Sequence, residues 1–297
     1  MFMLDYKLIE ALAMVIQEGG FERAARSLYL TQSAVSQRIR QLEERTGQVL
    51  LTRSSPPRPS AAGLQLIKHY HQVSLLEKNL SRELTEGIDD GPTVLNIGVN
   101  ADSLSLWFIK LVGPLLCNGD LLLDLRVDDQ EQTHNFLRDG DVIGCISTEE
   151  KAMQGCRVEI LGQMAYRMLG TPEFARQWFA DGFTLAACRT APAVVFNRKD
   201  NLHNRFFRQV FGRLPDKLPA HYVPSPEPFL EMITSGYSYG MVPDLQGESL
   251  LRGGDLVELV LDRPIFVDLY WHCWNLDSRH LTLLTETLVE GAEKQLK

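Results

Sequence analysis

Two short helical patterns, residues 21–28 and about 32–45, separated by little more than Tyr29 and Leu30, constrain this chain more than any other feature. In the first, Phe21, Ala24, Ala25 and Leu28 recur at i, i+3, i+4 and i+7. In the second, Val35, Ile39 and Leu42 recur at i, i+4 and i+7. That is the spacing of one apolar face at 3.6 residues per turn. Thr31 has a side-chain oxygen suited to capping the second helix. Ala24, Ala25 and Ala34 are small, so the helices can cross closely. Two such helices on so short a turn predict a helix-turn-helix. A further helix is expected over residues 5–18. Asp5 caps it, Leu8, Ala11, Leu12 and Val15 form its stripe, and Gly19 and Gly20 end it.

The outward face of the second helix carries Ser33, Ser36, Gln37 and Arg40, with no acidic group until Glu44. Hydroxyls, an amide and a guanidinium can read base edges and hold phosphates when a helix enters a major groove. Thr31, Gln32 and Arg38 in the same segment, and Arg53 and Arg58 beyond it, complete the candidate DNA-contacting set. A solvated face on an ordinary helical hairpin is the alternative for such a surface taken alone. The whole chain carries a net charge of −8, but residues 1–60 carry +2 and the rest −10. A mildly basic head on an acidic body fits a DNA-binding module joined to a body that avoids DNA.

Pro56, Pro57 and Pro59 stop any regular element at that point. Beyond them, Leu66, Tyr70, Val73, Leu76, Leu80 and Leu84 are spaced by 4, 3, 3, 4 and 4 residues. This predicts a long amphipathic helix over 61–86 with coiled-coil-like spacing. A helix with one apolar face needs a partner, either a second copy or its own domain. A hinge signal follows at Gly87 to Pro92. Thereafter strand-like and helical stretches alternate. The strands are expected at residues 94–99, 121–127, 142–146, 158–161, 193–196, 220–223, 240–242 and 266–271. The helices are expected at 103–116, 131–138, 202–211 and 228–234. Alternation predicts parallel sheets flanked by helices. About 205 residues is large for one such sheet, so two sub-domains with a cleft between them are expected.

Phe21 to Ala25, Thr31 to Ile39, Gln41 to Glu43, and then Gly47, Leu50, Leu51 and Arg53 agree in order and spacing with one known signature. The chain closely resembles the LysR-type regulators. Pro56 to Pro59, Val99 to Leu104 and Leu269 to His272 resemble the ArgP subgroup, regulators of arginine and lysine transport also described as inhibiting chromosome initiation. The resemblance implies an α/β protein with an N-terminal all-α winged helix-turn-helix, a long linker helix that dimerises, and a periplasmic-binding-protein-like two-lobed effector domain. It implies homodimers or homotetramers, double-stranded operator DNA as partner, and a small-molecule effector, a basic amino acid such as lysine or arginine. The expected division is 1–60 for DNA binding, 61–87 for the linker and 93–297 for effector binding. Lobe I then covers 93–163 and 268–297, and lobe II covers 164–267. The chain departs from the family in a shorter, proline-stiffened wing. It also has Asn197, Arg198 and Lys199 where a sensor of basic amino acids is expected to be more acidic.

Strand ends and helix starts are where α/β proteins bind polar ligands. Asn100, Asp102 and Ser103 lie at one such junction, Asp128 at a second, Ser147 and Thr148 at a third, and Glu227 before a later helix. Carboxylates there can pair with a cationic side chain. Helix capping and solvated loop charge are the competing roles for the same residues.

The other function classes find little support. Five scattered cysteines include no C-x-x-C pair, which suggests a reducing, cytoplasmic setting. No signal segment is visible, and the longest apolar stretch, residues 104–117, contains Lys110 and Pro114 and is too short to span a membrane. No H-E-x-x-H, G-x-S-x-G, P-loop or G-x-G-x-x-G pattern occurs, so neither an enzyme nor a metal or cofactor is expected. A cytoplasmic solute-binding sensor without sequence-specific DNA binding stands as the alternative.

Overall fold

The computed structural model describes residues 4–52, 54–84, 91–128 and 133–296. The expected α/β architecture is present. An N-terminal winged helix-turn-helix leads through a long helix into a two-lobed body.

The head comprises α1 (Tyr6–Gln17), α2 (Phe21–Ser27), α3 (Gln32–Thr46), the wing strands β1 (Leu51–Thr52) and β2 (Arg58–Pro59), and the long helix α4 (Ala61–Leu84). The predicted caps form: Asp5 accepts from the Lys7 amide at 3.2 Å, and Thr31 from the Ala34 amide at 3.2 Å. Leu8, Leu12 and Val15 of α1, Ala24 and Ala25 of α2, and Val35, Ile39 and Leu42 of α3 meet in one buried cluster. Burying a side chain of the Leu or Val class contributes about 1.5–3 kcal/mol each. The wing is held from two sides. Glu43 Oε1 accepts from the Leu50 amide at 2.8 Å. At Gly63 of α4, any Cβ would lie 2.3 Å from the Leu50 carbonyl oxygen, so only glycine permits this approach.

The apolar stripe of α4 divides along its length. Leu66 and Tyr70 pack against the head, with Ile67 buried beside them, and the Tyr6 hydroxyl meets His69 Nε2 at 3.0 Å. Leu75 joins the core of the body, and His71 Nδ1 lies 3.1 Å from the Gly140 carbonyl. Solvent exposure is the default for His69 and His71 on such a helix; here both meet partners. Leu76, Leu80 and Leu84 remain 39%, 54% and 74% exposed. Of the hinge signal after α4, residues 87–90 lie outside the described residues.

The body begins with β3 (Thr93–Asn100). A helical run follows, made of α5 (Ala101–Ser103), a π-helical turn (Leu104–Phe108) and α6 (Ile109–Leu116). Next come β4 (Leu121–Asp128), α7 (Thr133–Asp139), β5 (Gly144–Ser147) and β6 (Cys156–Gly170). The second lobe adds α8 (Pro172–Trp178), α9 (Leu185–Cys188), β7 (Ala193–Val195), α10 (Leu202–Phe211), β8 (Ala220–Tyr222), α11 (Pro226–Thr234), β9 (Gly240–Pro243), α12 (Asp244–Gly253) and β10 (Val257–Glu258). The chain returns through β11 (Ile265–Trp274) and ends on α13 (Arg279–Ala292). The first two residues of the helix expected at 131–138 lie outside the described residues.

The sheet differs from the all-parallel expectation. β3 runs parallel to β4 and β5, but β11 is antiparallel to both β5 and β6, and β6 is antiparallel to β9. The reason is β6. A four-residue strand is expected at 158–161, but the observed strand has 15 residues. It pairs with β11 from Cys156 to Tyr166 and with β9 and β10 from Tyr166 to Gly170, and the β11 register shifts where Leu269 faces Gly162 and Tyr270 faces Ile160. That places an extra residue, Leu161, in β6. Gly162 has φ 127°, a backbone geometry that side-chain-bearing residues rarely adopt. The bulge bends the strand pair without breaking it, so the same two strands serve both lobes.

Candidate nucleic-acid interface and ligand cleft

The α3 surface is assembled largely as its periodicity predicts. Ser33, Ser36, Gln37 and Arg40 line one groove on the outer face, with Gln41 and Glu44 at its edge. Ser33, Gln37 and Arg40 are exposed and Ser36 is half-buried. A second groove of about 840 Å³ separates α3 from the wing and is lined by Ser36, Arg40, Thr52 and Ser54 among others. Arg40 borders both grooves. Glu43 faces this region too, but its carboxylate already accepts from the Leu50 amide. Exposed Gln32 lies at the N-terminus of α3, and the Thr31 hydroxyl is committed to the cap and to Ser33 Oγ at 3.0 Å.

One residue of the set is placed elsewhere. Arg38 turns toward α1, donates to the Lys7 carbonyl at 3.4 Å and lies 3.9 Å from Glu10. Two positions on a helix differ by about 200°, so Arg38 and Arg40 face opposite ways. Arg58 is exposed on β2, and its carbonyl accepts from Thr52 Oγ1 at 3.0 Å. Arg53 lies outside the described residues.

The body holds a small cleft of about 30 Å³, lined by Asn100, Ala101, Asp102, Asp128, Phe196, Asp200 and Leu202. Parallel pairing sets Asn100 directly beside Asp128 at the ends of β3 and β4. The opposite wall comes from the loop after β7 and the start of α10. Polar contacts brace Asp102 and Asp128 in the cleft. The Tyr166 hydroxyl donates to Asp102 Oδ2 at 2.7 Å, and Lys199 Nζ donates to Asp128 Oδ2 at 3.3 Å. Asp200 accepts from the Leu202 amide at 2.9 Å and the Phe196 amide at 3.3 Å. Burial raises its pKa above the usual carboxylate value, against the lowering effect of those two amides.

Three of the seven sequence-selected ligand residues, Asn100, Asp102 and Asp128, therefore converge, and four do not. Ser103, the third residue of α5, is fully buried, and its hydroxyl has no hydrogen-bond partner among the described residues. The buried Ser147 hydroxyl accepts from the Glu149 amide at 3.1 Å, which folds that loop back on itself. Thr148 is half-buried beside it, and Glu227 is exposed in the first turn of α11; neither lines the cleft. Sequence reading did not select Tyr166, Phe196, Asp200 or Leu202. Tyr166 carries no local signal, because it reaches Asp102 only through the continuation of β6 past its bulge.

Among the described residues, no group of three or more His, Cys, Asp or Glu is arranged to hold a metal, and no helix is long and apolar enough to cross a membrane.

Comparison with known proteins agrees with this layout. Residues 6–64 match the bacterial regulatory helix-turn-helix protein, lysR family, and residues 93–296 match the LysR substrate binding domain. The chain is 40% identical to the HTH-type transcriptional regulator ArgP of Photobacterium profundum, over 99% of this chain and 98% of that one. Its fold is similar to the crystal structure of ArgP from Mycobacterium tuberculosis, with TM-score 0.86, 38% identity and 98% of each chain covered. It is also similar to full-length LysG from Corynebacterium glutamicum with bound effector Arg, with TM-score 0.77, 33% identity, and 98% of this chain and 99% of that chain covered. Two family models spanning both halves, and relatives of this identity along the full length, place the chain in the LysR family of DNA-binding transcription regulators.

Proposed function

We propose that this regulator binds double-stranded operator DNA through α3 and the wing, as a homodimer or homotetramer, and that a basic amino acid, lysine or arginine, acts from the cleft. The observation carrying the DNA reading is Arg40, exposed and bordering both grooves beside Ser33, Ser36 and Gln37. A guanidinium so placed can contact guanine bidentately, while Thr31, Gln32, Arg53 and Arg58 are positioned in sequence to hold phosphates. The effector reading rests on Asn100, Asp102 and Asp128 meeting at two strand ends, together with the arginine bound by the similar LysG.

The functional division proposed is 1–60 for DNA, 61–87 for the linker and 93–297 for the effector. Lobe I takes 93–163 and 268–297, and lobe II takes 164–267. Self-association uses the exposed Leu76, Leu80 and Leu84, which suit a second copy of the same stripe. We further propose that the protein acts in the cytoplasm and catalyses no reaction; its relatives are named as transcriptional regulators. The decisive test is footprinting on genomic DNA with and without lysine and arginine. Protection of discrete sites whose pattern changes with either amino acid supports the proposal. Uniform, sequence-independent binding overturns the regulator reading at the DNA level, and an unchanged pattern overturns the effector.

A further inference from the structure

We propose that Lys199 is a tethered competitor for the cationic side chain of the effector, seated on Asp128, and that it sets the charge selectivity of the cleft. The inference rests on the basic amino-acid reading above.

Lys199 starts from a fixed base. Asn197 Oδ1 accepts from the backbone amides of Lys199 at 2.7 Å and Asp200 at 3.1 Å, and the Asp200 carboxylate ties down the amides of Phe196 and Leu202. From there the side chain reaches across to the end of β4 and places its ammonium 3.3 Å from Asp128. The neighbouring Arg198 points elsewhere, with its guanidinium carbon 4.5 Å from the ring centre of Tyr222. Lys199 thus brings to Asp128 the same ammonium on a four-carbon stem that free lysine carries.

Space makes the two mutually exclusive. A cleft of about 30 Å³ has room for little more than one or two waters. A ligand ammonium that takes Asp128 must therefore occupy the place of the Lys199 ammonium, so one cation displaces the other. A short tether holds its group at an effective concentration in the millimolar range, so a free cation must outcompete it. A neutral side chain of equal length makes no demand on Asp128 and meets no such competition. The penalty therefore follows the charge of the ligand and not its size.

The test is calorimetric titration of the full-length protein with L-lysine, L-arginine and L-norleucine, comparing the unaltered chain with Lys199→Met, which keeps the stem and removes the charge. Lysine and arginine should bind the variant about two- to fivefold more tightly, the range of an exposed ion pair, with norleucine unchanged. Asp128→Asn should weaken lysine in either background. Binding of lysine to Lys199→Met alone would support the inference most strongly. Lysine binding equally well to both chains, or a gain of the same size for norleucine, overturns it and leaves the basic effector standing. No heat from lysine or arginine with either chain overturns both. Lys199→Gln, checked for an unchanged thermal midpoint, separates the charge effect from any disturbance of folding.

Discussion

The hydroxyl of Tyr166, on the long strand shared by both lobes, donates to Asp102 Oδ2 at 2.7 Å. Tyr166 is only 1% exposed, so this bond anchors the helix start after β3 to the strand pair beyond the bulge, where Tyr166 faces Ile265. Tyr166→Phe keeps the ring and removes the donor. A hydrogen bond to a charged partner contributes about 1.5–3 kcal/mol. In a unit of about 200 residues that lowers the thermal midpoint by roughly 3–12 °C. A midpoint unchanged in scanning calorimetry would mean that water replaces the phenol at no cost.

Arg40 and Arg38 should separate cleanly on mutation. Arg40→Ala is expected to weaken specific operator binding by about 1–3 kcal/mol. Arg38→Ala, which loses only contacts to Lys7 and Glu10 on α1, should cost under about 1 kcal/mol of stability and leave sequence preference intact. Gel-shift titration at fixed salt decides the point; equal losses for both would reassign Arg38 to the DNA face.

The exposed part of the linker stripe should control assembly. Leu76→Glu combined with Leu80→Glu puts two carboxylates where a second helix is proposed to pack. Sedimentation should then show smaller species, and DNA affinity should fall because two half-sites are no longer engaged together. An intact oligomer would move the interface off α4. The head should stay folded, since its own hold on α4 runs through Leu66, Ile67 and Tyr70.

Acid should destabilise the second lobe through His203. The ring is buried against Phe207 and Tyr239, neither nitrogen has a hydrogen-bond partner among the described residues, and burial pushes its pKa down to about 4. The unfolded chain binds a proton near pH 6.5, which the folded chain refuses until about pH 4. The stabilising contribution is therefore complete above about pH 6.5 and is lost as pH falls toward 4, a span worth about 3 kcal/mol. His203→Leu should flatten the fall in thermal midpoint between about pH 7 and 4.5. Some slope should persist, because burial lowers His71 and His272 as well. An unchanged slope would assign the acid sensitivity to other groups.

Local pattern alone determined the head. The stripes of α1, α2 and α3, the caps at Asp5 and Thr31, and the outward set of Ser33, Ser36, Gln37 and Arg40 all follow from contacts within a few residues of chain. The same logic located most strands of the body and put Asn100 and Asp128 at strand ends and Asp102 at the helix start that follows. It could not show that β6 runs on past Leu161, because a bulge at Gly162 carries no periodic signal. It could not show that Arg38 belongs to α1, since that contact joins residues 31 apart. Nor could it show that Tyr166 and Lys199 meet Asp102 and Asp128, at separations of 64 and 71 residues. Helix and strand faces are set by neighbours along the chain. The cleft is set by which distant segments the shared strands bring within hydrogen-bond reach, and only the packed structure decides that.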